Sequence, residues 1–120
     1  MPLASDMMKG GMSAGMAAAA NGQIISAATA AGTAITDAYD IISSNVVVTA
    51  GSGGVQLPAA MIGDDVFILN LLSTPITVYP DSTSGRINQL AAGNGFVLPS
   101  NTAVMCKKFT STRWIGFLSA

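Results

Sequence analysis

From Ala50 to Gly116 the hydrophobic positions come in short runs, punctuated closely by Gly, Pro, Asn and Ser. Asn45-Val46-Val47-Val48-Thr49 is β-branched and runs into Gly51-Ser52-Gly53-Gly54, a pattern that predicts a strand entering a turn. Val55-Gln56-Leu57-Pro58 reads as a further strand closed by proline. Val66-Phe67-Ile68-Leu69-Asn70-Leu71-Leu72 is almost continuously apolar, which predicts a strand covered on both faces. Ile76-Thr77-Val78-Tyr79 alternates, as a strand with one buried face does. Arg86–Leu90, Phe96–Leu98, Ala103–Phe109 and Thr112–Leu118 follow, with polar or glycine-containing turns at 80–85 and 93–95. The reading is an all-β module over residues 41–120, either a small β-sandwich or an intertwined β-oligomer.

The first forty residues behave differently. Five of the seven methionines fall before Asn21, among Ala and Gly, with no β-branched residue and no sustained period. Met side chains are flexible and polarisable, so Met7, Met8, Met12 and Met16 are expected to form an adaptable arm that fills grooves on a partner, with a disordered tail or a short Ala helix as the competing readings. Residues 22–40 leave two readings open. Ala28, Ala31 and Ile35 share one face of a helix, whereas Gly32 and the Thr residues suit an extended segment. Residues 1–40 are therefore read as an arm and linker, extended or partly helical.

Composition sharpens the picture. The chain has 120 residues, enough for one domain, and 50% are hydrophobic. Only 9% are charged, against roughly 25% in an ordinary soluble domain. So sparse a charged surface is expected to be covered by another chain. Five Lys and Arg in a chain of net charge -1 do not make a nucleic-acid surface, and no such partner is expected. The uncharged stretch from Gly10 to Thr36 is rich in Ala and Gly and interrupted at Asn21-Gly22-Gln23, so neither a membrane span nor an export signal is expected.

Candidate chemistry is thin. There is no His to act as general acid or base, and no Cys/His set for zinc. Asp64 and Asp65 follow Gly63 and read as a solvated turn; Ca²⁺ at Asp64 or Asp81 is the competing reading. Gly53-Gly54 lacks the Lys-Ser/Thr of a phosphate loop. Cys106, the single cysteine, reads as a small buried apolar residue, or else as a thiol activated by Lys107 and Lys108. No enzyme, cofactor or metal site is expected. Tyr79 and Trp114 belong to a core or subunit interface, or else offer flat faces to sugar rings.

Five short words in order carry a resemblance: Gly53-Gly54-Val55-Gln56-Leu57-Pro58; Gly63-Asp64 leading to Asn70; Val78-Tyr79-Pro80; Gly85-Arg86-Ile87-Asn88-Gln89-Leu90; and Ser111-Thr112-Arg113-Trp114. In this the chain resembles virion proteins of tailed bacteriophages, especially head decoration (cement) and head-fibre proteins. The resemblance implies a β-rich module that assembles on a virion, often as a homotrimer, on the capsid exterior with the major capsid protein as partner. Joined to the residue pattern, it places the oligomer interface at Phe67, Leu69, Leu71, Trp114 and Phe117, and the capsid-binding arm at Met7, Met8, Met12 and Met16. The alternative is a head- or tail-fibre module whose loops at 80–85 or 92–95 bind host-surface glycans.

Overall fold

The computed structural model describes residues 26–119. Every regular element among them is a strand: β1 (Ser26–Ala30), β2 (Tyr39–Asp40), β3 (Asn45–Gly51), β4 (Gly54–Gln56), β5 (Asp65–Asn70), β6 (Ile76–Tyr79), β7 (Arg86–Ile87), β8 (Phe96–Leu98), β9 (Thr102–Lys108) and β10 (Arg113–Leu118). The all-β reading holds for these residues. The strands form a six-stranded sheet in the order β1-β3-β5-β9-β10-β7 and a four-stranded sheet in the order β2-β4-β6-β8.

The winding is simple. From β1 to β8 the chain alternates between the sheets, odd strands in the first and even strands in the second. β1, β3 and β5 therefore lie side by side in parallel, as do β2, β4 and β6. Twenty residues separate Ser26 from its partner Val46, and twenty-two separate Val46 from Ile68, so each rung of the coil takes about that length. Parallel neighbours need a long connection, and here the strand in the opposite sheet is part of it. The alternation ends at β9 and β10, an antiparallel hairpin that enters the first sheet between β5 and β7.

The corner from β3 to β4 is only Ser52 and Gly53 long. Gly51 (φ 81°) and Gly53 (φ 110°) turn it with positive φ, which glycine adopts without strain. A Cβ at Gly51 would collide with the Ala30 carbonyl oxygen, and one at Gly53 with that of Gly32. The adjacent rung is stacked that closely.

Inward residues of both sheets belong to one buried cluster. Ala28, Val46, Val48, Ile68, Val104, Cys106 and Trp114 enter it from the first sheet, and Val55, Ile76, Val78 and Leu98 from the second. Two polar residues are buried with them. Asn70, fully buried, donates from Nδ2 towards the carbonyl oxygens of Thr74 (3.0 Å), Leu98 (3.2 Å) and Pro99 (3.2 Å), while its Oδ1 accepts from the Leu72 amide (3.0 Å). It ties the end of β5 to the turn before β6 and to the end of β8. Lys108 points inward from β9, near the Trp114 ring, and its Nζ bonds Asp81 Oδ2 (2.7 Å) and the Ala60 carbonyl oxygen (2.9 Å).

The segment read as linker divides differently from the sequence expectation. Residues 26–30 form an extended parallel strand, not a helix, and Ala28 and Ala30 are buried in the core. A small side chain alternating inward and outward satisfies a sheet as readily as it imitates a helical face. The folded module accordingly includes β1 and β2 and extends at least from Ser26, rather than beginning at 41.

The ion pair yields a stability prediction. Asp81→Asn removes the counter-charge from an ammonium whose side chain is only 8% exposed. Urea unfolding is expected to show a loss of about 3–5 kcal/mol, much of it restored by adding Lys108→Met. A loss below about 1 kcal/mol would place the pair with exposed ones instead.

Candidate functional site

The outer face of the first sheet is the broadest candidate, and its register can be read directly. One row runs Asn45, Phe67, Met105, Phe117 across β3, β5, β9 and β10. The next runs Ala27, Val47, Leu69, Ala103 across β1, β3, β5 and β9. A third aligns Asp65, Lys107 and Ile115. Because cross-strand partners share a face, Val47, Phe67, Leu69, Met105, Ile115 and Phe117 form one apolar patch. Phe67 and Phe117 are 45% and 50% exposed, far from the burial usual for such rings. Charges stand at the rim: Asp65 opposite Lys107, and Arg113 beside Arg86 on the parallel pair β10–β7. An apolar centre with a polar rim is the anatomy of an interaction surface.

The expected interface residues divide. Phe67, Leu69 and Phe117 lie on this patch, and Leu71, 52% exposed, follows β5 at its margin. Trp114 does not join them. It is fully buried in the chain's own core, between Lys108 of β9 and Ile87 of β7, and has no surface to give a partner. The reason is parity: on β10 the residues beside Trp114 point outward, so Ile115 and Phe117 reach the face that Trp114 cannot. Its Nε1 has no acceptor among the described residues. Val47, Met105 and Ile115 belong to the patch but escape a sequence reading. Val46-Val47-Val48 is apolar throughout, so its faces separate only once its pairing with β5 is known. Met7, Met8, Met12 and Met16 lie outside the described residues.

The continuously apolar stretch at 66–72 also acquires two different faces. Val66 and Ile68 are buried within the chain, whereas Phe67 is half-exposed. A single chain therefore buries one side of β5 and leaves the other partly exposed.

The carboxylates have structural partners. Asp64 Oδ2 accepts from the Met61 amide (3.0 Å), and the Asp64 amide donates to the Met61 carbonyl oxygen (3.0 Å), closing the turn before β5. Asp81 is engaged by Lys108, so a cation already occupies the carboxylate for which Ca²⁺ was the competing reading. Among the described residues no group of three or more His, Cys, Asp or Glu gathers as a metal site would require.

Cys106 faces the core from β9, and desolvation pushes its thiol from the usual 9.0 to about 12. Burial outweighs any influence of neighbouring lysines, since Lys107 is on the opposite face and Lys108 is committed to Asp81. The activated-thiol reading does not survive this placement.

No protein-family model, curated protein or solved structure matches the chain.

Two outcomes follow for Cys106. The native protein at neutral pH is expected to leave a chromogenic disulfide reagent unreacted, with one thiol released on unfolding; rapid native labelling would overturn its burial. Because the folded pKa lies above the unfolded one, this group's contribution to stability is complete below about pH 9 and is lost as pH rises towards 12. Cys106→Ala should show a smaller decline across that window in denaturant titrations at stepped pH.

Proposed function

We propose that this chain is a structural component of a virion: a decoration (cement) protein of the tailed-bacteriophage kind, bound to the capsid exterior as a homo-oligomer. The observation that carries the reading is the half-exposed apolar patch on the outer face of the first sheet, with Phe67, Leu69, Met105 and Phe117 at its centre. A chain of low net charge with such a face is served by association with copies of itself. In the proposed assembly, a homotrimer, each two-sheet module behaves as a small β-sandwich, and the outer faces of the three first sheets meet around a shared axis. The ordered sequence words described above add the phage context.

The N-terminal arm, with Met7, Met8, Met12 and Met16, contacts the major capsid protein in this reading. Thioether side chains adapt to irregular seams between subunits. The action is mechanical: each oligomer adds contact area across neighbouring capsid subunits and so resists their separation. No catalytic step is assigned. The glycan-binding alternative loses one of its two aromatic platforms, because Trp114 is buried.

Quantitative mass spectrometry of purified virions tests the reading directly. A ratio to the major capsid protein near about one is expected for a symmetric oligomer repeated over the shell. A ratio of roughly a few per cent would assign the chain to a fibre, and absence from the particle would remove both assignments. For the interface, Phe67→Asp combined with Phe117→Asp is expected to convert the oligomer to monomer in light scattering with an unchanged far-ultraviolet spectrum. For the arm, deletion of residues 1–20 is expected to abolish capsid binding while the oligomer persists.

A further inference from the structure

The second sheet carries a recess unlike the apolar patch. Tyr79, on β6, turns its side chain to the outer face, away from its core neighbour Val78. Its partner on β4 is Gln56, and the residue before β8 on the other side is Gly95. A Cβ added at Gly54 would stand 2.5 Å from Tyr79 Cε2, and one added at Gly95 would stand 3.0 Å from Cδ1. Those carbons lie at opposite corners of the ring. The ring thus spans the strip between the two glycines, close to the height of their missing Cβ atoms.

Neither Gly54 nor Gly95 has a positive φ, so the backbone does not demand glycine at either place. At Gly54 the ring is the nearest obstacle to a side chain; at Gly95 a Cβ would first meet Thr77 Cγ2 (2.5 Å) and the Val78 carbonyl oxygen (2.7 Å), so that glycine clears the strand as well as the ring. Gly54 is buried although it lies on an outer face, as expected beneath a ring. A slot that holds an aromatic side chain between two strands limits its motion before any ligand arrives.

Above the ring is a shallow recess of about 470 Å³. Tyr79 and Thr77 lie at its base, Thr33 and Ile35 on one wall, Leu90 and Asn94 on the other. The Asn94 wall is pinned: the Gly93 amide donates to the Gly85 carbonyl oxygen (2.8 Å), and the Asn94 amide to that of Ala91 (3.1 Å). The opposite wall is held by the Asp37 amide on the Ala34 carbonyl oxygen (3.1 Å). No charged side chain lines the recess.

We propose that this recess is a binding site for a neutral pyranose. The chemistry required is a flat aromatic surface for the C–H face of the sugar, with hydroxyl and amide groups at its edge for the sugar hydroxyls. Tyr79 provides the first, and Thr33, Thr77 and Asn94 the second. Acidic sugars and phosphates are disfavoured, because nothing in the lining neutralises an anion. Preformed walls reduce the ordering that binding requires. The site lies on the sheet opposite the proposed oligomer patch, so its occupancy is independent of the cement reading and does not rest on it.

The test is a two-dimensional amide NMR titration of the full chain with methyl glycosides of glucose, galactose, mannose and N-acetylglucosamine, with sialic acid and inorganic phosphate as charged probes. At least one neutral glycoside is expected to shift amides within 33–35, 77–79 and 90–95. Tyr79→Ala is expected to weaken that glycoside about tenfold or more, and Tyr79→Phe to leave it nearly unchanged. Asn94→Ala, at an exposed turn position, provides a second variant in which the fold is retained, and should also weaken binding. Shifts with no neutral glycoside, shifts only with the charged probes, or binding indifferent to both Tyr79→Ala and Asn94→Ala would overturn the proposal.

Discussion

Parallel pairing between strands a full rung apart is the constraint from which the rest of this fold follows. β1 cannot hydrogen-bond β3 unless the chain leaves the first sheet, crosses to the second and returns within about twenty residues. Each crossing needs a tight corner, and at β3–β4 that corner is made by Gly51 and Gly53 with no room for a side chain against the preceding rung. Each return brings an inward-facing residue beneath the one before it, so Ala28, Val48 and the buried end of β5 come into line. Outward residues stack by the same register. The apolar rows of the first sheet are thus a direct product of the winding, as is the clear strip beneath Tyr79 in the second.

Two polar groups hold this winding closed at places where hydrogen-bond ladders do not reach. Asn70 satisfies backbone groups from two segments, the turn before β6 and the end of β8. Lys108 and Asp81 join the first sheet to the turn that follows β6, with the ammonium also reaching Ala60. Groups of this kind contribute modestly when intact and are costly when half removed. A slipped register would leave these buried groups without their partners, a cost that a uniformly apolar core would not carry.

Much of the strand content was legible in the chain. Val66–Asn70, Ile76–Tyr79 and Ala103–Lys108 show it through β-branched residues, alternation and turn-forming boundaries, all of which are local. Partner choice is not local. Nothing in Val46-Val47-Val48 distinguishes a parallel neighbour at 67–70 from an antiparallel one, so the coil and the facing of each valine stayed hidden. Ser26–Ala30 was ambiguous because alanine favours helix and carries little preference for a sheet. Trp114 was misplaced as an interface residue by the same ignorance of parity, and Lys108 gave no sign of its inward course. Of the surface patch, Phe67, Leu69 and Phe117 were legible as large apolar residues; Met105 and Ile115 required the register.

The stacking of β1 on β3 on β5 also gives the module a mechanical grain. Hydrogen bonds in a sheet point across the strands, which here is along the direction in which rungs are stacked. Tension applied along that direction loads one interstrand ladder after another, and rungs peel in sequence at low force. Tension applied along the strands shears every bond of a pair together and meets far greater resistance. A particle that used this module as a clamp would therefore gain most when the strands, rather than the stack, lay along the line of strain.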